Sequence, residues 1–158
     1  MNTGMVFGII FAILVIGMLF VFGIDQIANI FCVSNVAQTN KAVSDLENAV
    51  ENVFNLAEGS AMPFKVSIPR NAEICFVNYS NPVPMNTWNP DPDMYNIISN
   101  RITANRFNIW IKYGCGTSDT GSKISYLRVS ENFCAGLGTD LYLENKGYHV
   151  AIERPAGS

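Results

Sequence analysis

The first 24 residues of the sequence contain no charged side chain, although the chain carries 10 basic and 13 acidic residues. The run from Val6 to Ile24 is long enough to cross the apolar core of a bilayer, which needs about 20 residues in a helix. A removable secretion signal has a basic start, a shorter apolar run of ~7–15 residues and a cleavage site between small residues. The stretch "MNTGMVFGIIFAILVIGMLFVFGI" lacks these features, so we expect it to be retained.

Basic clusters and metal-ligand spacings are also missing. The formal net charge is −3, and no lysine and arginine cluster occurs that could attract phosphates, so no nucleic-acid partner is predicted. None of the four cysteines forms a C-x-x-C pair and His149 is the only histidine, which argues against a zinc site. We find no constellation of nucleophile, base and acid, and therefore expect neither an enzyme nor a bound cofactor or metal.

Proline and glycine are absent between Asp25 and Glu58. Within this segment, apolar or small residues recur at alternating steps of four and three, a spacing that places them on one face of a helix. These residues are Cys32, Val36, Thr39, Val43, Leu46, Val50, Val53 and Ala57. Gly59 follows as a suitable C-terminal stop. We predict one helix from Thr3 to Glu58, amphipathic in its second part.

This pattern divides the chain into a long N-terminal helix, residues 1–59, and a β-rich head domain, residues 60–158. The helix has an apolar part over residues 1–24 and an amphipathic part over residues 25–59. An alternative is two helices with a break near Gly23–Asp25. A single glycine costs a helix only about 1 kcal/mol, which favours continuity.

After Pro63 the sequence changes to short β-like runs separated by turn residues. "PRN" and "NKG" are expected to connect hairpins, and a short helix with Asp91 as its cap is expected near residues 93–104. Residues 80–92 and 114–122 are expected to be loops. The predicted strands are Phe64–Ile68, Ala72–Tyr79, Arg106–Tyr113, Lys123–Val129, 140–144 and 148–154.

A small antiparallel sheet needs a cover on its apolar face, and the amphipathic part of the helix is the obvious partner. The predicted fold class is therefore α+β, with the long helix packed on the sheet. The residues expected at this contact are Val36, Val43, Leu46, Val50 and Val53.

An even number of cysteines in a membrane-tethered domain favours disulfides and an oxidising compartment. We pair Cys75 with Cys134, because both lie in or beside strand-like apolar sequence, which leaves Cys32 and Cys115. The alternative is that all four are buried as free thiols. Asn78 begins the only N-x-S/T sequon, "NYS", and is a candidate glycosylation site.

The layout of an apolar and then amphipathic helix followed by a small β-rich head resembles that of type IV pilins, in particular archaeal pilin-like proteins. The resemblance is carried by "MVFGIIFAILVIGMLFVFGI" and by the apolar face that ends at Ala57. Pilin precursors have a leader that ends in glycine and is removed by a prepilin peptidase; Gly4 stands at such a position, unless Met1 is already the mature start. Bacterial pilins carry glutamate at the fifth mature position. Here Met5 stands at that position if Met1 is the mature start, and Ile9 if Met5 is. Archaeal pilins often lack this glutamate.

The resemblance implies a structural subunit of an extracellular, type IV pilus-like filament on the cell surface. Its partners would be copies of itself in a helical homopolymer, the cytoplasmic membrane before assembly, the prepilin peptidase and the assembly machinery. Gly4, Gly8 and Ala12 are spaced four residues apart, and small residues at this spacing let apolar helices approach closely. The residues expected in the filament core are Gly4, Gly8, Ala12, Ile13, Gly17, Phe20 and Ile24. The alternative is an extracytoplasmic binding domain with a single-pass membrane anchor.

Overall fold

The computed structural model of the chain describes residues 3–82 and 92–154. They form an α+β fold, as predicted, in which the long helix α1 spans Thr3–Phe54. The chain separates into two compact units, with the division between Ser34 and Asn35. The other elements are β1 Ala61–Lys65, β2 Glu73–Phe76, α2 Pro92–Asn105, β3 Ile109–Lys112, β4 Thr120–Ser122, β5 Leu127–Val129, β6 Phe133–Ala135, β7 Asp140–Asn145 and β8 Val150–Glu153.

Helix α1 runs through Gly23–Asp25 without a break, but it ends at Phe54 and not at Glu58 as predicted. The last carbonyls of a helix have no partner within it. Here the Nδ2 of Asn145 donates to the carbonyl oxygens of Val53, Phe54 and Leu56 at 3.1, 3.0 and 2.9 Å. Asn145 is only 2% exposed, so a residue of the head domain caps the helix from inside the protein.

The strands form two sheets of four strands each, and not the single antiparallel sheet that we predicted. The strand orders are β1-β7-β8-β5 and β4-β3-β2-β6. All neighbouring strands are antiparallel except β5 and β8, which are parallel. The predicted hairpin at "PRN" is wrong, because β1 pairs with β7 and β2 pairs with β3 and β6. The predicted hairpin at "NKG" is confirmed, and Gly147 adopts a φ of 87° there.

Other parts of the strand prediction also need correction, and β2, β3 and β5 are each shorter than predicted. The first strand begins at Ala61 and not at Phe64, so Pro63 lies within it. Because β1 is at the edge of its sheet, proline is tolerated there. Residues 114–122, predicted as a loop, include strand β4, and strand β6 was not predicted.

Two hydrophobic clusters stabilise the unit that begins at Asn35. The larger one combines the buried face of α1 with residues of both sheets, among them Phe76, Ile109, Leu141 and Ile152. The smaller one lies between the second sheet and α2 and contains Cys75, Val77, Ile98, Ile102 and Trp110. The second sheet is thus buried on both faces, which explains why Ile109–Ile111 reads as a continuous apolar run.

Asn108 organises the segment that joins the two sheets. Its Nδ2 donates to the carbonyl oxygens of Ile124 and Leu127, at 2.8 and 2.9 Å, and its Oδ1 accepts the backbone N–H of Ile124 at 2.8 Å. The side chain is 3% exposed, so these bonds satisfy backbone groups that water cannot reach.

Candidate membrane and assembly segment

The first part of α1, Thr3–Val21, is the clearest functional feature of the molecule. The segment has 19 residues, its most apolar stretch of 18 residues has a mean hydropathy of 2.8, and none of it is buried. Among the residues that the structure describes, this is the one helix long and apolar enough to cross a membrane. A membrane anchor and a secretion signal both have this composition and this place near the N-terminus.

The apolar side chains of this segment are exposed all around the helix. Phe7 is 79% exposed, Phe11 66% and Leu14 66%. Moving one such side chain from water into an apolar environment is worth about 1.5–3 kcal/mol. A surface of this kind therefore requires lipid or other apolar helices around it.

The structure describes the exposure of six of the seven residues predicted for a filament core, and all six are exposed. Ile13 and Phe20 are 64% and 67% exposed. The side chain of Ile24 lies outside the described part of the chain. The helical period places Gly4, Gly8 and Ala12 on one side of α1 and Gly17 on roughly the opposite side from Gly8. The set therefore lies on two opposite sides of the helix and does not define a single contact face.

A Cβ atom added at Gly4, Gly8 or Gly17 would meet no atom within 4 Å beyond the neighbouring backbone of the helix itself. These glycines are therefore not required by packing inside the molecule. Substituting them changes only the surface that the helix offers to its surroundings, which makes them suitable positions for testing contacts with lipid or with other subunits.

The residues predicted at the contact between helix and head lie in the larger hydrophobic cluster. Leu46, Val50 and Val53 are 0% exposed, Val43 is 9% exposed, and Val36 packs at the margin of the cluster. The prediction omitted Ala42 and Ala49, which are also buried. Their spacing of three and four residues from Leu46 and Val53 is the sequence feature that identifies them.

Cys75 and Cys134, the pair expected from the sequence, form a disulfide with an S–S distance of 2.02 Å. They lie directly opposite each other on β2 and β6. Cys32 and Cys115 are also disulfide-bonded, and the described residues contain no free cysteine. Glu73 lies close to Cys75 and Cys134, but the two sulfurs are bonded to each other and cannot act as thiolate ligands of a metal. The disulfides are typical of an oxidising, extracytoplasmic environment.

The head domain has a polar cleft of about 450 Å³ beside β6 and the end of β8. Arg154 lies against it, but its guanidinium is already placed over the ring of Phe133 at 5.3 Å and donates to the carbonyl oxygen of Cys134. The guanidinium of Arg154 therefore contributes to contacts within the head. The lining residues are Ser130, Glu131, Asn132, Phe133, Ile152, Glu153 and Arg154.

Among the residues that the structure describes, burial is the main cause of a shifted pKa at two ionisable groups of the head. Burial lowers the pKa of His149, and the nearby positive charges of Arg128 and Lys146 lower it further. Burial raises the pKa of Asp119, although a hydrogen bond from Trp110 and the charge of Lys112 act in the opposite direction. Both shifts arise from packing within the head domain.

Asn78 lies in a turn after β2, with its sequon partner Ser80 exposed. The predicted loop over residues 80–92 and the cap Asp91 lie largely outside the described residues. No model of a known family, no curated protein and no solved structure matches this chain. Only its own residues therefore point to its function.

Proposed function

We propose that this protein is a structural subunit of an extracellular, type IV pilus-like filament. The observation that carries this proposal is the composition and exposure of Thr3–Val21, an apolar segment of which nothing is buried. This segment stands at the start of helix α1, and the later part of the same helix belongs to the core of the head domain. A subunit of this kind keeps its head folded in water while its apolar helix is transferred from lipid to a bundle of identical helices.

The energetics of the segment support such a transfer. In the membrane, lipid covers the side chains of Thr3–Val21. In a filament, the same side chains of neighbouring copies cover one another, so little apolar surface returns to water. Repeated contacts between unlike surfaces of identical subunits produce an open helical array, because such contacts do not close into a ring.

The head domain has the properties required outside the membrane. Its disulfides form in an oxidising compartment, and most of its charged residues are exposed. The prepilin peptidase and the assembly machinery are the additional partners that this function requires on the membrane side.

The proposal is tested by shearing filaments from cells that make the protein, imaging them by electron microscopy and determining the N-terminus of the subunit by mass spectrometry. The informative variant is Gly8→Leu, which adds four carbons where the chain itself leaves open space. We expect the yield of filaments to fall at least about tenfold, since close helix approach needs a small residue at the contact. The head domain should remain folded.

The matched control is Val6→Phe, which also adds four carbons but at a position that already carries a branched side chain, so no close approach through a small residue is lost there. It preserves the apolar character of the segment, and we expect a smaller loss of filaments. Wild-type cells without filaments, with a monomeric protein in the membrane fraction, would contradict the proposal and support the single-pass anchored domain. Equal yields from both variants would contradict the specific role of Gly8.

A further inference from the structure

The sequon Asn78-Tyr79-Ser80 forms an exposed turn after strand β2. The Oδ1 of Asn78 accepts the backbone N–H of Ser80 at 3.0 Å, and the carbonyl oxygen of Asn78 accepts the N–H of Asn81 at 3.0 Å. These two bonds close a β-turn over residues 78–81. Asn78 is half-buried, and Tyr79, Ser80 and Asn81 are exposed, so the turn lies at the surface.

Asn132 holds this turn at both ends. Its Oδ1 accepts the backbone N–H of Asn78 at 2.6 Å, and its Nδ2 donates to the carbonyl oxygen of Asn81 at 3.1 Å. The turn also begins only three residues after Cys75, which is bonded to Cys134. The backbone that presents the sequon is therefore fixed by the folded head domain.

The two amide atoms of Asn78 are in different situations. Oδ1 is engaged within the turn, whereas Nδ2 makes no hydrogen bond to another residue among those the structure describes. A substituent on Nδ2 would thus break no hydrogen bond of the protein. By contrast, the Nδ2 of Asn108 and of Asn145 donate to buried backbone carbonyls and could not be modified without loss of structure.

We propose that Asn78 is an N-glycosylation site of the exported head domain. The donor is a saccharide joined through its anomeric carbon to a phosphorylated isoprenoid lipid. A bond forms between Nδ2 and the anomeric carbon, the bond from that carbon to the phosphate oxygen breaks, and the lipid phosphate leaves with the electron pair. The amide nitrogen loses one proton, and no oxidation or reduction takes place. The hydroxyl group of Ser80 completes the acceptor sequence.

This modification requires only that the head domain is exported, as its disulfides indicate. It does not require filament assembly. The two proposals can therefore fail separately. Normal filaments without a saccharide would contradict only the glycosylation proposal, and a glycosylated protein that forms no filaments would contradict only the filament proposal.

The test uses the full chain purified from cells that make it, digested with trypsin without reduction and analysed by mass spectrometry. Cleavage after Arg70 and Arg101 leaves Asn78 in peptide 71–101, which stays linked through Cys75 to the peptide containing Cys134. We expect this linked pair to carry a saccharide mass and to release sugar fragment ions. Finding the pair only at its unmodified mass would overturn the proposal.

Three variants locate the modified atom. Ser80→Ala keeps the backbone N–H that bonds to Asn78 and removes only the hydroxyl group, so the turn should persist while the saccharide is lost. Ser80→Thr restores a hydroxyl group and should restore the saccharide. Asn78→Gln should also lose it. Retention of the saccharide in Asn78→Gln or Ser80→Ala would place it on another residue and contradict the proposal. The intact link between Cys75 and Cys134 reports in each digest that the head has folded.

Discussion

The two parts of helix α1 have the same backbone conformation but opposite surroundings. Between Thr3 and Val21 the apolar side chains are exposed, as in Phe7 at 79%. In the later part, Leu46, Val50 and Val53 are 0% exposed and belong to the core of the head domain. The difference shows that apolar residues can form a helix without having a partner in their own chain. The later part has that partner, whereas the first part depends on lipid or on other molecules.

Sequence pattern explains this difference. The first part is apolar on every side, so no orientation within a single head domain could bury it. The later part is apolar on one face and carries Asn48, Glu51 and Asn52 on the exposed one. One face of a helix is what a sheet can cover, which is why the later part is buried against the head.

The largest effect is expected from truncating the same residue type in the two parts of α1. Leu46→Ala removes a fully buried side chain and should lower the free energy of unfolding of the head by about 2–5 kcal/mol, through lost burial and the cavity that remains. Leu19→Ala, at a position that is 68% exposed, should change it by less than about 0.5 kcal/mol. Denaturant titration of the detergent-solubilised full chain, followed by near-ultraviolet circular dichroism, measures both.

Equal losses of stability in these two variants would remove the distinction between the two parts of the helix. A loss in Leu19→Ala alone would show that the head depends on the first part of α1. The pair is well matched because the same atoms are removed from the same secondary structure.

A smaller effect is expected where the buried part of the helix ends. Asn145→Ala removes the amide that serves the carbonyl oxygens of Val53, Phe54 and Leu56. It should cost about 1–3 kcal/mol, because these partly buried carbonyls lose this donor, although that of Val53 still accepts the backbone N–H of Leu56. Asn48→Ala, at an exposed position on the same helix, is the control and should change stability by less than about 0.5 kcal/mol. The same denaturant titration applies, and a neutral Asn145→Ala would show that water can replace this cap.

The smallest effect is expected from pH, and it belongs to the head alone because the described part of the first segment carries no ionisable side chain. The pKa of His149 is lower in the folded head than its ordinary value of about 6.5. Below that value the unfolded chain binds a proton that the folded head does not yet bind, so stability should fall as the pH drops from about 6.5 towards the lowered pKa. Above that value the contribution is constant.

The His149→Gln variant isolates this contribution. Its stability should change less between about pH 7 and pH 5 than that of the wild-type protein, as measured by denaturant titration at both values. An identical change in the two proteins would show that other groups, and not His149, cause the acid sensitivity.

Several elements could be predicted because their determinants are local. The absence of proline and glycine after Asp25 predicted a long helix, and "NKG" predicted the hairpin between β7 and β8. The pairing of β1 with β7 could not be predicted, since some eighty residues separate Met62 from its partner Leu143. Strands β4 and β6 are three residues each, too short for a periodic pattern to identify them.

The features of the candidate site also divide into those that local sequence identifies and those that depend on residues distant in sequence. The apolar character of Thr3–Val21 and the disulfide partners Cys75 and Cys134 were visible in the sequence. The hydrogen bonds that hold the turn at Asn78 were not, because Asn132 is distant in sequence and resembles any other surface asparagine there.

The sequence by itself determined which part of the chain must seek an apolar environment, because composition alone sets the free energy of leaving water. It also determined the helical character of α1, since that depends on residues three and four positions apart. Only the tertiary structure decided which asparagine side chains bind backbone carbonyls and which leave their Nδ2 available. Asn145, Asn108 and Asn78 have the same side chain, and their roles differ because the fold brings backbone carbonyls to the Nδ2 of the first two and leaves that of Asn78 without a protein acceptor among the described residues.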